Sequence, residues 1–156
     1  MKLVTAAAGL LLAFVGTANT FADTINVPGD HALIQDAINA AEDGDIIHVQ
    51  PGIYTGSGEE VVRLMGKSIT LTATGSPEST VIDGENQRRC VTCADGEGSN
   101  THISGFTITN GYAQNGAGIY LGWNCSPTIE DCIVAHNVAS SGGGGLRCGC
   151  RIMPDD

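Results

Sequence analysis

The sequence predicts an all-β solenoid, a parallel β-helix covered at its N-terminal end by one capping α-helix. Three observations predict it. Residues 101–150 carry two near-copies of one pattern; within each copy the apolar residues alternate as in strands; and a single amphipathic helical pattern precedes the repeats, with none between them.

The first copy reads THISGFTITNGYAQNGAGIYLGWNC (residues 101–125) and the second PTIEDCIVAHNVASSGGGGLRCGC (residues 127–150). Ile103, Phe106 and Ile108 fall on Ile129, Cys132 and Val134 at an offset of 26, which holds through Ala113 and Ala139. The offset is 27 by Ile119 and Leu146, which places a one-residue insertion within Gly142–Gly145. One coil of short strands cannot bury its inward side chains. Stacking coils about 4.8 Å apart makes a continuous core and pairs every strand edge but the terminal ones. A Greek-key sandwich is the rival use of the same strands, and it would set antiparallel neighbours at residues 106–108 and 132–134.

The pieces Gly105-Phe106-Thr107-Ile108-Thr109-Asn110-Gly111, Gly116-Ala117-Gly118-Ile119-Tyr120 and Ser126-Pro127-Thr128-Ile129-Glu130-Asp131-Cys132 resemble right-handed parallel β-helix repeats of the pectate-lyase-like superfamily. The second piece, of GGAIY type, is similar to the repeats of polymorphic outer-membrane proteins. The resemblance implies a right-handed coil and a secreted protein. It does not imply an activity, since the superfamily mixes lyases, hydrolases, esterases and non-catalytic surface proteins.

Taken in order, Met1-Lys2, the apolar run Leu3–Val15 and the small-residue site Thr20-Phe21-Ala22 read as a signal peptide over residues 1–22, too short in its apolar part to span a membrane. Residues 23–44 form the N-terminal strand and capping helix. Thr24–Val27 alternates and ends at Pro28-Gly29. Asp30 is then placed as N-cap of a helix to about Ala41, with Leu33, Ile34, Ala37, Ile38 and Ala41 on one face and Gly44 as its left-handed stop. Laid across the open end of the solenoid, such a helix covers core and unpaired strand edges. Residues 24–56 resemble the N-terminal cap and first coil of the superfamily, which assigns Gln35 and Asp36 to the cap.

Asp45–Val49 opens the first coil and Pro51-Gly52 turns it; Val61–Leu64, Ser68–Thr72, Thr80–Gly84 and Cys90–Cys93 follow as strands. Residues 45–150 therefore hold about four coils at roughly 25 residues each. Residues 151–156 offer no further strand and read as an unstructured or truncated end, with the chain the N-terminal fragment of a longer β-helix.

The full chain has a formal net charge of −10, with 17 acidic and seven basic residues. So acidic a surface argues against nucleic acid and anionic membranes as partners. The signal peptide and the family resemblance imply extracellular polysaccharide or cell-surface components as partners, and the acidity means that any polyanionic glycan would need Ca²⁺ as a bridge. Six cysteines fit an oxidising compartment. Cys90 and Cys93 are candidates for a local bridge, and Cys125 for a bridge to Cys148 or Cys150 on the next coil. Cys132, which replaces an inward apolar residue of the other repeat, reads as a small buried hydrophobe.

No motif of a lyase, hydrolase or esterase of this superfamily is matched residue by residue, so no catalytic residue is assigned. The nearest candidates are Asp83 and Glu85 beside Arg88 and Arg89, whose plainer reading is a solvated turn with surface ion pairs. Asp95 and Glu97 could supply oxygens to Ca²⁺, the one cofactor the sequence leaves open. Tyr120 and Trp123, on the rim of one coil, are candidate sugar-stacking side chains. Asn110 and Asn137 read as turn residues that satisfy backbone groups.

Overall fold

A computed structural model describes residues 21–149 of the chain. The signal peptide predicted at 1–22, apart from Phe21 and Ala22, lies outside the described residues, as do Cys150 and the predicted end at 151–156. The chain is a β-solenoid of about five turns built from all-parallel sheets, with one short helix near the N-terminus. The first turn holds β1 (Thr24–Val27) and α1 (Ile34–Ala40), and the second β2 (Ile46–Val49), β3 (Gly52–Tyr54) and β4 (Glu60–Arg63). The third holds β5 (Thr70–Ala73), β6 (Thr80–Asp83) and β7 (Arg89–Cys93). The fourth holds β8 (His102–Ser104), β9 (Thr107–Thr109), β10 (Tyr112–Asn115) and β11 (Ile119–Leu121). The fifth holds β12 (Thr128–Glu130), β13 (Ile133–Ala135), β14 (Val138–Gly142) and β15 (Leu146–Cys148). Gly52, expected only to turn the chain, begins a strand.

Equivalent strands stack into a first sheet β1-β2-β5-β8-β12, a second β3-β6-β9-β13, a third β4-β7-β11-β15 and a short pair β10-β14. All these neighbours are parallel, including Thr107 on Ile133 and Ala135 on Thr109, which excludes the Greek-key arrangement. Thr128 faces His102 and Ala139 faces Ala113, the 26-residue offset read from the repeat. Asn115 already faces Gly142, so the inserted residue lies at Ser140–Ser141, not within Gly142–Gly145. A register irregularity between Ala113 and Asn115 absorbs it. Four successive glycines match one another at any offset, which hid the position.

The alternation predicted from sequence sets the core. Ile47, Leu71 and Ile103 line the inside of the first sheet, Ile82 and Ile108 the second, and Val62, Val91 and Ile119 the third, all essentially without exposed surface. Burying one such aliphatic side chain contributes about 1.5–3 kcal/mol. On the fifth turn Ile129 and Cys132 are half-buried against this core, so Cys132, expected to be buried, is only partly covered, whereas Val134, Val138 and Leu146 are exposed. At the bend between β9 and β10 Asn137 from the turn above donates Nδ2 to the Ile108 carbonyl (2.9 Å) and accepts the Gly111 N–H (2.7 Å). A Cβ on Gly111 would collide with the Ala117 carbonyl and the Asn137 side chain, so only glycine fits.

The helix is shorter than predicted. Asp30 does not cap it: Asp30 Oδ2 accepts the Asn26 N–H (2.7 Å) and Nδ2 (3.1 Å), closing the turn after β1. The N-cap position is Leu33, in extended conformation without a side-chain cap, and Leu33 is 38% exposed rather than part of the buried face. Ile34, Ala37, Ile38 and Ala41 are buried as expected. Gly44 does have a positive φ (98°), but the helix has already ended at Ala41, and the Gly44 N–H donates to the Ser68 carbonyl.

What α1 covers is the edge of the third sheet, packing against β4. Gln35 stands in for the missing neighbouring strand there: its Oε1 accepts the Arg63 N–H (2.7 Å) and its Nε2 donates to the Arg63 carbonyl (3.2 Å). From the β4–β5 turn Lys67 Nζ donates to the carbonyls of Ile38 (2.6 Å), Asn39 (3.0 Å) and Ala41 (2.7 Å), satisfying the C-terminal end of the helix with a positive charge. Lys67→Met keeps the stem and removes these bonds. It is expected to lower stability by about 1.5–3 kcal/mol in urea unfolding and to speed proteolysis near α1.

Candidate functional site

The charged turn between β6 and β7 is held by hydrogen bonds to its own backbone and to the turn above. Asp83 Oδ1 accepts the Glu85 N–H (2.7 Å) and Oδ2 accepts Asn110 Nδ2 (3.1 Å). Arg88 pairs with Glu85 (3.2 Å), while its Nε and Nη1 are buried without a hydrogen-bond partner among the described residues. Arg89 points to the other face of the chain. It donates to the carbonyls of Gly116 and Asn115 (3.0 Å each), lies 3.8 Å from a Glu60 oxygen, and sits over the Tyr120 ring at 4.8 Å. Asp83, Glu85 and Arg88 therefore sit together in one turn, and Arg89 stands apart from them.

Asp95 and Glu97, two positions apart in sequence, have separate tasks. Asp95 receives a two-pronged contact from Arg63, 3.0 Å from Nε and 3.1 Å from Nη2, and this guanidinium holds its carboxyl below the usual aspartate range. Glu97 is fully buried. Its Oε1 accepts the Gly66 N–H (2.9 Å), its Oε2 accepts the Asp95 N–H (2.9 Å), and the Cys125 thiol lies 3.2 Å from the same Oε2. One carboxyl thus joins three successive turns. Among the described residues no group of three His, Cys, Asp or Glu side chains converges as a metal site.

All five described cysteines are free thiols in this structure. The local bridge expected between Cys90 and Cys93 does not form, because both lie on β7, three residues and about 10 Å apart along an extended strand. Cys90 instead donates to the Thr109 carbonyl, and burial pushes its thiol up to about 12. Burial also raises the Cys93 and Cys125 thiols. Cys125 turns toward Glu97 in the turn below rather than toward Cys148, which is exposed on β15.

The two aromatics are not equivalent. Tyr120 lies on the outer side of β11, half-buried, with one ring face taken by Arg89. Trp123 is 62% exposed in the turn that leads from the third sheet into β12 of the first. It therefore stands at one margin of the first sheet's outer face.

That outer face is what sequence reasoning missed. Parallel register aligns Ile46, Thr70, His102 and Thr128 in one outward row, and His48, Thr72, Ser104 and Glu130 in the next, at about 4.8 Å per step. Ser104 Oγ donates to Thr72 Oγ1 (2.9 Å), so neighbouring hydroxyls are held as a set. The five strands contain no lysine or arginine. Along the margin opposite Trp123 runs a groove of about 640 Å³, where Thr72, Ser104, Glu78 and Asp131 supply polar groups and Pro77 and Ile133 apolar ones. These residues come from three turns, and only the repeat offset, applied to polar outward positions, could have grouped them.

Among the described residues no helix is long and apolar enough to cross a membrane. The outer face of the first sheet thus sets rows of hydroxyl and imidazole side chains between an exposed indole and a shallow groove. Comparison with protein-family models, with curated proteins and with solved structures finds no match to this chain.

Proposed function

We propose that this chain is a secreted β-helix module of the pectate-lyase-like kind that binds a neutral extracellular polysaccharide on the outer face of its first sheet, without catalysing a reaction on it. The observation that carries this reading is the double row of Thr70, His102, Thr128 and Thr72, Ser104, Glu130, bounded by Trp123 and by the groove at Asp131 and Ile133. Hydroxyls and imidazoles offer both donors and acceptors to sugar hydroxyls, and a bare indole face stacks on a pyranose ring as it does on any apolar planar surface. The net charge of −10 favours a neutral chain over a uronate. The oxygens of Asp83 are taken by the Glu85 N–H and Asn110, and Arg88 is paired with Glu85, which supports a structural use of this turn and a binding role for the chain.

Affinity electrophoresis against neutral polysaccharides and uronate polymers, with and without Ca²⁺, tests the reading. Retardation by a neutral polysaccharide is expected, weakened about tenfold or more in Trp123→Ala, the loss of roughly one stacked ring, and weakened likewise in Ser104→Lys. Retardation by none of the polymers, or binding untouched by both substitutions, overturns it. Release of unsaturated products or reducing ends, abolished by Arg88→Ala or Asp83→Ala, would instead make the chain part of a polysaccharide lyase or hydrolase.

A further inference from the structure

We infer that the groove beside the first sheet is a subsite for an acetamido group, so that the polysaccharide held on this face is built of N-acetylated amino sugars. The inference rests on the polysaccharide reading and names the sugar. The groove exists because one corner of the solenoid is longer than the others. Between the first and second sheets the chain turns in two residues on the second, fourth and fifth turns, at 50–51, 105–106 and 131–132, but in six on the third, at 74–79. In a repeat fold an insertion confined to one turn collects on one face, often the binding face. Here the extra residues form a short 3-10 segment, Pro77–Ser79, that packs against β6 and, one turn up, against β9. It stands as a wall beside the two corners above it.

The wall is fixed. The Ser79 N–H (3.0 Å) and hydroxyl (2.8 Å) both donate to the Ser76 carbonyl. A Cβ on Gly75 would collide with Ser79 Oγ (2.6 Å) and with Pro51 Cγ of the turn below (2.7 Å), so the loop is closed on itself and seated on that turn. Gly105, with a φ of 82°, lines the groove without a side chain to fill it.

The lining selects the occupant. Glu78 and Asp131 are exposed carboxylates, and neither pairs with a lysine or arginine among the described residues. They offer acceptors only. The Thr72 hydroxyl accepts from Ser104, and its own proton meets the Ala73 carbonyl at 3.5 Å, so long a contact that it can turn to a ligand acceptor instead. Pro77 and Ile133 add apolar surface, and Ile133 is 41% exposed. No basic side chain lines the groove, which disfavours a carboxylate or sulfate substituent beside two carboxylates. An acetamido group satisfies the whole set. Its N–H donates to a carboxylate, its carbonyl accepts from Thr72, and its methyl packs on Pro77 and Ile133. A sugar hydroxyl brings no methyl, an O-acetyl ester no N–H, and a protonated amine neither methyl nor acceptor. Trp123 precedes β12 and Asp131 follows it, so a glycan laid along that strand meets the indole at one margin and the groove at the other.

The test titrates the full chain calorimetrically with soluble oligomers of equal length, of β-linked N-acetylglucosamine, glucose and glucosamine. The acetylated oligomer is expected to bind about tenfold or more tighter than the glucose oligomer. Glu78→Ala and Ile133→Ser, both at exposed side chains, should each lower that ratio by about threefold or more. Trp123→Ala should weaken both oligomers and keep the ratio. Thermal unfolding confirms that the variants are folded. Equal affinities for the acetylated and glucose oligomers, or tightest binding of glucosamine, overturn the acetamido subsite and leave the polysaccharide reading standing. A preference that survives both groove substitutions overturns it too, because the acetamido group is then recognised elsewhere. Binding of none of the three also overturns the subsite, and electrophoresis against the wider set of polymers then decides the polysaccharide reading on its own.

Discussion

Replacing Ile108 by aspartate is expected to abolish soluble, folded protein. Ile108 is fully buried on β9, stacked between Ile82 below and Val134 above. A carboxylate placed there has no hydrogen-bond partner among the aliphatic side chains that flank it. Leaving it unpaired costs several kcal/mol, on top of the lost burial of an isoleucine. A domain of this size is stable by only about 5–15 kcal/mol, so the two losses together exhaust most of the margin. Ile38→Asp, in the buried face of α1, should behave in the same way. The matched control is Ile53→Asp: Ile53 is 71% exposed on the outer side of the same sheet. Expression, circular dichroism and thermal unfolding of the three variants check this. Equal stability of Ile108→Asp and Ile53→Asp would mean that the inward and outward faces are assigned the wrong way round.

Glu97→Ala should cost about 2–5 kcal/mol, the second largest effect, because two backbone donors lose their only side-chain acceptor at once. The Gly66 N–H and the Asp95 N–H each bond to a different oxygen of this buried carboxyl. Neither has a replacement when the side chain is shortened. Glu97→Gln retains one carbonyl oxygen and should therefore be intermediate, about half as costly. Urea unfolding of the pair is the measurement. The same proteins separate a structural from an ion-binding role for the loop: a Ca²⁺-dependent rise in Tm, lost in Glu97→Gln, would make Asp95 and Glu97 metal ligands. Structural use predicts a Tm indifferent to Ca²⁺ in both.

The solenoid was legible in the sequence because its determinants are local and repeated. Ile103, Phe106 and Ile108 alternate with polar residues, and the same spacing recurs 26 residues on at Ile129, Cys132 and Val134. Burial at alternate positions and parallel stacking at that offset bring the apolar sides of the two copies together. Boundaries set by competing hydrogen bonds were less legible. Asp30 has the composition of an N-cap, but the Asn26 amide groups beside it claim its oxygen first, and the helix begins at Ile34 instead.

What the tertiary structure alone decided is the partner of each polar or sulfur side chain. Gln35 bonds to Arg63, Lys67 to the end of α1, Glu97 to Gly66, and Cys125 to Glu97, each across 26 to 31 positions of sequence. In a solenoid the nearest neighbour of a residue is the one stacked a full turn away. Repetition in the sequence reveals that neighbour for apolar positions, where any aliphatic side chain serves. A hydrogen bond needs a particular donor above a particular acceptor, within a few tenths of an ångström, and that depends on the length and path of every bend between them.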